Sequence, residues 1–179
     1  RHLWIRAQGA APVLRIRHQF LQSLREFFDE ENLIATEGPI LTGVSVEGTT
    51  TLFETEYFGE KAYLTQSSQL YLEATAAALG RVYWIGPVFR AEKSKTRKHL
   101  TEFWMAEAEL SWVEHDANLD FQEDMVHSVV TRLAKKRREE LKDLEVDPDR
   151  LIKMVEKPFP RISYKEAVDI VNDAGVAME

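Results

Sequence analysis

Residues 81–112, RVYWIGPVFRAEKSKTRKHLTEFWMAEAELSW, constrain this chain more than any other stretch. β-Branched and aromatic residues fill both ends while residues 93–99 hold nothing apolar, so the pattern predicts two strands joined by a basic loop. On the second arm, alternation puts Trp104, Ala106, Ala108, Leu110 and Trp112 on one face and Phe103, Met105, Glu107 and Glu109 on the other. The first set is expected to face the core. On the first arm Arg90 and Glu92 share a side, with Phe89 and Ala91 opposite. A cation, a carboxylate and an aromatic ring are therefore expected to meet on one sheet surface.

Composition narrows what such a surface can serve. With 179 residues, 44% of them apolar, the chain can build one domain around a real core. No apolar run approaches the roughly 20 residues of a membrane span, and the chain opens at Arg1 without a signal-peptide pattern, so a soluble intracellular protein is expected. The absence of cysteine excludes a disulfide scaffold, a thiolate metal site and a cysteine nucleophile. A net charge of −7 argues against a dedicated nucleic-acid-binding module, though not against a local basic patch.

Taken in order, Pro12 suits a first helical turn, and Val13, Ile16, Phe20, Leu24, Phe27 and Phe28 recur at helical steps. The spacing predicts an amphipathic helix over residues 13–31, ending near Asn32. LIATEGPILTG then reads as extended chain broken by Gly38 and Pro39, and residues 43–58 as a loop entering a strand. KAYLTQ is expected to be a strand and SSQLYLEATAAALG a helix, with Ser67 or Ser68 as N-cap and Gly80 at its C-terminal end. Gln69 and Glu73, four residues apart, project from one face of that helix. Taken by itself, Glu73 reads as an exposed helix glutamate. A single long helix is expected over residues 119–144, with Phe121, Met125, Val126, Val129, Val130 and Leu133 on its apolar side. Its mixed cluster of Lys135, Lys136, Arg137 and Arg138 beside Glu139 and Glu140 reads as a solvated face. A short helix around residues 151–155 and a last helix opened by a Ser163/Glu166 capping box complete the pattern.

FRAE, a basic loop, HLTEF and a following strand together resemble motif 2 of the class II aminoacyl-tRNA synthetases, and the helix with a strand ending at Pro39 resembles their motif 1. QLYLE and PFPRISYKEA are similar to the asparaginyl subgroup. The resemblance implies an α+β fold, an antiparallel sheet flanked by helices. It implies that residues 1–179 are part of a synthetase catalytic domain, with the N-terminal anticodon-binding domain and the C-terminal motif 3 part absent. The implied function is ATP-dependent activation of asparagine to asparaginyl adenylate and transfer to tRNA(Asn), in the cytoplasm, by a homodimer joined through the motif 1 region. The segment is not expected to be competent alone.

The resemblance also assigns roles. Arg90 would bridge the α-phosphate and the amino acid carboxylate, Glu92 would accept from the adenine amino group, and Phe103 would stack on the adenine. Lys98, His99 and the main chain at Leu100 would meet the outer phosphates of ATP. Glu47, on the loop, would meet the substrate ammonium, Gln69 the substrate backbone, and Glu73 the side-chain amide. Aspartyl enzymes place a lysine where this chain has Leu72, in keeping with a carboxylate at residue 73 that accepts from an amide and repels an acid. Mg2+ is expected for the complete enzyme with its ligands outside this segment, and Glu107 and Glu109 could meet a substrate ammonium or a magnesium ion but read as well as ordinary strand polarity, so neither is assigned to the site. Two rivals share these residues: a synthetase-like asparagine synthetase using aspartate and ammonia, and a non-catalytic dimerisation or regulatory protein. An RNA-binding hairpin is disfavoured by the acidic charge.

Overall fold

The structure is a computed structural model that describes residues 2–6, 9–43, 52–93 and 99–175. The chain forms two compact units, one of residues 20–120 and one of residues 1–19 with 121–179. The long helix α2 (Ala10–Glu30) runs through both, after a short helix α1 (His2–Arg6). Its end follows from sequence: Asn32 takes the left-handed conformation at φ 58°, while Leu33 N–H bonds the Phe28 carbonyl at 2.9 Å and Asn32 N–H that of Asp29 at 3.0 Å. These bonds satisfy carbonyls that the helix would otherwise leave open.

In the unit of residues 20–120, β1 (Ile34–Ala35), β5 (Arg81–Phe89) and β6 (Glu102–Leu110) make one sheet in the order β1-β5-β6. β5 and β6 are antiparallel over nine pairs, from Arg81 opposite Leu110 to Phe89 opposite Glu102. β1 pairs with β5 in parallel, which departs from the expected all-antiparallel sheet. A second sheet, β2 (Leu41–Thr42), β4 (Glu60–Leu64) and β3 (Glu54–Tyr57), is antiparallel. Helix α3 (Gln69–Leu79) lies against β5 and β6, and its Leu72 and Ala76 close a core with Val82, Trp84 and Val88. Phe103 and Met105 pack onto that core. On the other face of β5, the Phe28 ring of α2 sits 4.6 Å from the Tyr83 ring.

This packing corrects the expected orientation of β6. Trp104 is 45% exposed, Ala106 is exposed, and Trp112, just past the strand at φ 66°, is fully exposed, whereas Phe103 and Met105 meet the core. Strand periodicity states which side chains share a face but not which face a helix will cover. Here α3 covers the face of Phe103, so core and candidate site share it.

α3 is also tied to residues 36–42. Thr36 and Thr75 share a hydroxyl hydrogen bond at 3.2 Å, as do Thr42 and Tyr71 at 2.7 Å. Between them, a Cβ at Gly38 would overlap the hydroxyl of the buried Ser68. Gly38→Ala should therefore lower stability by about 1–3 kcal/mol, the usual cost of forcing an extra group into a packed site, read as a lower urea midpoint for the full-length protein.

In the unit of residues 1–19 and 121–179, the expected single helix over residues 119–144 is two: α4 (His115–Lys136) and α5 (Arg138–Asp143). They part at Arg137, whose φ of −129° leaves the helical region, a local change that apolar spacing does not register. Helix α6 (Pro148–Met154) starts with Asp147 accepting from Asp149 N–H at 2.9 Å. Helix α7 (Tyr164–Asp173) opens with the expected capping box of Ser163 and Glu166. Glu123 of α4 accepts from Phe159 N–H and from Arg161, both at 2.8 Å, which holds the connecting segment onto that helix. Among the described residues no helix is long and apolar enough to cross a membrane.

Candidate active site

The outer end of the β5/β6 pair positions the first group of candidate residues. Arg90 follows β5 directly, and its N–H bonds the Thr101 carbonyl at 2.9 Å, so the ladder continues through it. Phe103 stands opposite Val88, which puts its ring on the same face as Arg90. The guanidinium carbon lies 5.7 Å from the ring centroid, within the range of a cation–π contact. Arg90, Glu92, His99, Leu100 and Phe103 together line a cavity of about 300 Å³. Of the residues expected to meet ATP, the fold gathers these five, while Lys98 lies outside the described residues, as does Glu47, expected at the substrate ammonium.

The second group lies at the first turn of α3. Gln69 Nε2 donates to Glu73 Oε1 at 3.0 Å, so the two side chains stand side by side as their spacing requires. The turn itself is not capped as a serine N-cap would suggest: Ser68 occupies the N-cap position without a side-chain cap bond, and Ser67 Oγ accepts from Gln69 N–H at 3.1 Å. Glu107 of β6 completes the arrangement, accepting from the Ser67 hydroxyl through one oxygen and from Ser68 N–H at 2.8 Å through the other. From the sequence Glu107 could meet a substrate ammonium or a metal ion, or be ordinary strand polarity; its bonds to Ser67 and Ser68 were not foreseen. The available signal was its place on the face of Phe103, two pleats along the same strand.

The two groups are linked through residues 65–68. Phe89 N–H bonds the Thr65 carbonyl at 2.8 Å, and Thr65 Oγ1 donates to the Ser67 carbonyl at 2.7 Å. Charge differs between them. Arg90 lines the outer cavity, whereas Glu73, Glu107 and Glu109 lie close enough for the first and second to act on the third. Burial, then the charges of Glu73 and Glu107, push the Glu109 carboxyl above its ordinary range. A raised folded-state pKa means that the folded protein binds this proton more tightly than the unfolded chain, so stability falls as pH rises above the usual carboxylate range. Glu109→Gln, which cannot ionise, should raise the thermal midpoint of the full-length protein at about pH 7, with the gain vanishing at about pH 4. Wild-type midpoints for the variant at both values would contradict the raised proton affinity of Glu109.

Such a surface suits a zwitterion joined to a phosphate: anionic groups toward Arg90, and ammonium or amide hydrogens toward the carboxylates. Among the described residues, no group of three or more His, Asp or Glu side chains is arranged to hold a metal ion.

A protein-family model described as tRNA synthetases class II (D, K and N) matches residues 1–177. The asparagine–tRNA ligase of Koribacter versatilis is 52% identical over 173 residues, 97% of this chain and 39% of the relative. That of Sorangium cellulosum is 51% identical over 174 residues, again 97% of this chain and 39% of the relative. Among solved structures, asparaginyl-tRNA synthetase from Pyrococcus horikoshii complexed with asparaginyl-adenylate superposes with a TM-score of 0.92 at 41% identity, covering 99% of this chain and 41% of that one. Aspartyl tRNA synthetase from Entamoeba histolytica superposes with a TM-score of 0.75 at 27% identity, covering 99% of this chain and 33% of that one. The chain spans about two fifths of the length of the curated relatives it matches.

Proposed function

Because the chain belongs to the class II tRNA synthetases of the D, K and N group, we propose that the protein it is part of activates asparagine with ATP and transfers it to tRNA(Asn). The observation that carries this reading is the shared sheet face: a cavity lined by Arg90, Glu92, His99, Leu100 and Phe103, with the Gln69–Glu73 pair on the helix packed against the same strands. The naming of the curated relatives as asparagine–tRNA ligases supports asparagine over aspartate. In the chemistry, an asparagine carboxylate oxygen attacks the α-phosphorus of ATP, the new P–O bond forms, and the bond to the β-phosphate breaks to release pyrophosphate. A tRNA 3′-terminal hydroxyl then attacks the acyl carbon, AMP leaves with the bonding pair, and the hydroxyl proton passes to the departing phosphate. No side-chain nucleophile is required.

Arg90 holds the asparagine carboxylate against the α-phosphate and neutralises charge that grows on the phosphate oxygens. Phe103 stacks on the adenine, a contact worth about 1–3 kcal/mol by comparison with other aromatic–base pairs, and Glu92 accepts from the adenine amino group. Lys98, His99 and the Leu100 main chain meet the outer phosphates. Gln69 orients the substrate backbone, Glu73 reads the amide, and Glu47 meets the ammonium. The complete enzyme uses Mg2+, with ligands beyond those described for this chain. The chain is the part of the catalytic domain that holds motifs 1 and 2, in a cytoplasmic enzyme.

Dimerisation through the motif 1 region is part of the same reading. On the sheet face opposite α3, a cavity of about 220 Å³ is lined by Thr36, Ile40, Tyr83, Ile85 and Trp104, and Ile34, Ile40 and Leu41 are each close to half exposed. A second copy would cover this apolar surface.

Asparagine-dependent exchange of labelled pyrophosphate into ATP by the full-length protein tests the reading. Exchange with asparagine and charging of tRNA(Asn) are expected. Exchange with aspartate and no tRNA charging would replace it by an aspartate-activating asparagine synthetase, and no exchange with any amino acid by a non-catalytic role.

A further inference from the structure

We propose that the face of the β2-β4-β3 sheet turned away from α3, out to the aromatic tip of its hairpin, packs against the same face of a second copy of this chain. This contact rests on the dimer reading above and extends it to residues that reading does not use.

Cross-strand partners share one face of a sheet. Leu41 pairs with Leu64, Thr55 with Ala62 and Tyr57 with Glu60, and alternation adds Phe53, so these residues line one side. Thr42, Glu54, Glu56 and Lys61 line the other, where Thr42 bonds the Tyr71 hydroxyl of α3 at 2.7 Å and Lys61 pairs with Glu54 at 2.9 Å. The apolar side therefore looks away from α3, and its Leu41, Phe53 and Tyr57 are 45%, 38% and 54% exposed. Among the described residues the charge on this side is Glu60, at the end of the turn.

Phe58 and Gly59 make the turn between β3 and β4, with φ of 50° and 85°. A two-residue hairpin turn with both residues in the left-handed region is normally built from asparagine, aspartate or glycine. A bulky side chain is disfavoured there, so Phe58 weakens the turn it occupies. Its ring instead stands 92% exposed at the tip, edge-on to the Tyr57 ring with the centroids 4.7 Å apart. Local structure gives no reason for a phenylalanine at this place, whereas a surface that lands on the ring does.

The chemistry of the face selects its occupant. Glu54, Glu56 and Glu60 surround the hairpin, which disfavours a nucleic acid. An apolar side whose charges are turned away or kept to one end suits another of its kind, and a two-fold contact of like faces brings no opposed charges to its centre. Leu41 also belongs to the half-exposed apolar surface that the dimer reading buries, so one two-fold contact covers both.

Sedimentation equilibrium of the full-length protein over a range of concentrations tests the contact, with Phe58→Asn, Tyr57→Thr and Glu56→Gln. Phe58→Asn suits the left-handed turn while removing the ring, and a symmetric contact carries each change twice, so the dimer dissociation constant should rise on the order of 10²-fold or more. Tyr57→Thr, which keeps a strand-forming residue, should raise it about tenfold. Glu56→Gln, on the opposite face, should leave it within about twofold. Wild-type dissociation in both aromatic variants would overturn the contact and leave dimerisation through the motif 1 region standing. A wild-type protein that stays monomeric at every concentration would remove the dimer reading and this contact with it. Unchanged dissociation with a lower urea midpoint in Phe58→Asn would give the face to another part of the same protein, and unchanged dissociation with weaker tRNA binding would give it to RNA; either overturns the proposal. If one aromatic variant does not melt cooperatively, the other decides.

Discussion

Full-length protein carrying Arg90→Ala is expected to lose asparagine-dependent pyrophosphate exchange by on the order of 10³-fold or more. The size follows from what one guanidinium is asked to do. Activation brings a carboxylate up to a phosphate, two anions that repel until a cation lies between them. Negative charge then increases on the phosphate oxygens as the bond to pyrophosphate lengthens. In the proposed reading Arg90 stands at the mouth of this chemistry; its main chain is held by Thr101 and its guanidinium carbon lies 5.7 Å from the Phe103 ring centroid. A planar fork in that position can bond both partners at once, which a lysine cannot, so Arg90→Lys should recover only part of the loss. Arg90 lies at the end of the strand pair and outside the buried core, so both variants should keep the wild-type melting profile. Near-normal exchange by Arg90→Ala would remove the assignment of this surface to adenylate formation.

Glu73→Gln should collapse the preference for asparagine over aspartate by on the order of 10²-fold or more, while the ATP KM remains close to wild type. An ionised carboxylate offers only acceptors. It matches the NH2 of the asparagine amide and opposes the charge of aspartate. Gln69 takes one of its oxygens at 3.0 Å, which fixes the carboxylate as acceptor and orients the rest of it. Glutamine at the same place would present its own NH2 to the asparagine amide and would no longer repel aspartate. Loss of discrimination should therefore come from both sides, a lower kcat/KM for asparagine and a higher one for aspartate. An unchanged ratio would return Glu73 to an ordinary helix surface residue.

Much of the architecture was legible because it depends on neighbours in the chain. The apolar spacing of α2, its end near Asn32, the capping box at Ser163 and the alternation of β6 are local, and the structure carries each of them. The break at Arg137 was not legible, since one residue leaving the helical region does not disturb the apolar period around it. The motif wording reached further than physics alone, bringing Arg90, Glu92, His99, Leu100 and Phe103 into one list, and the fold gathers these five around one cavity.

By itself, then, the sequence determined most of the elements and the residue types that can do the chemistry, because helix and strand periods are set within a few residues. The tertiary structure alone decided which face of β6 would be covered, that β1 would join β5 in parallel, and that Glu107 would reach the serines that open α3. Each of these depends on groups tens of residues apart being brought into contact, and a period along one strand holds no information about what packs onto it.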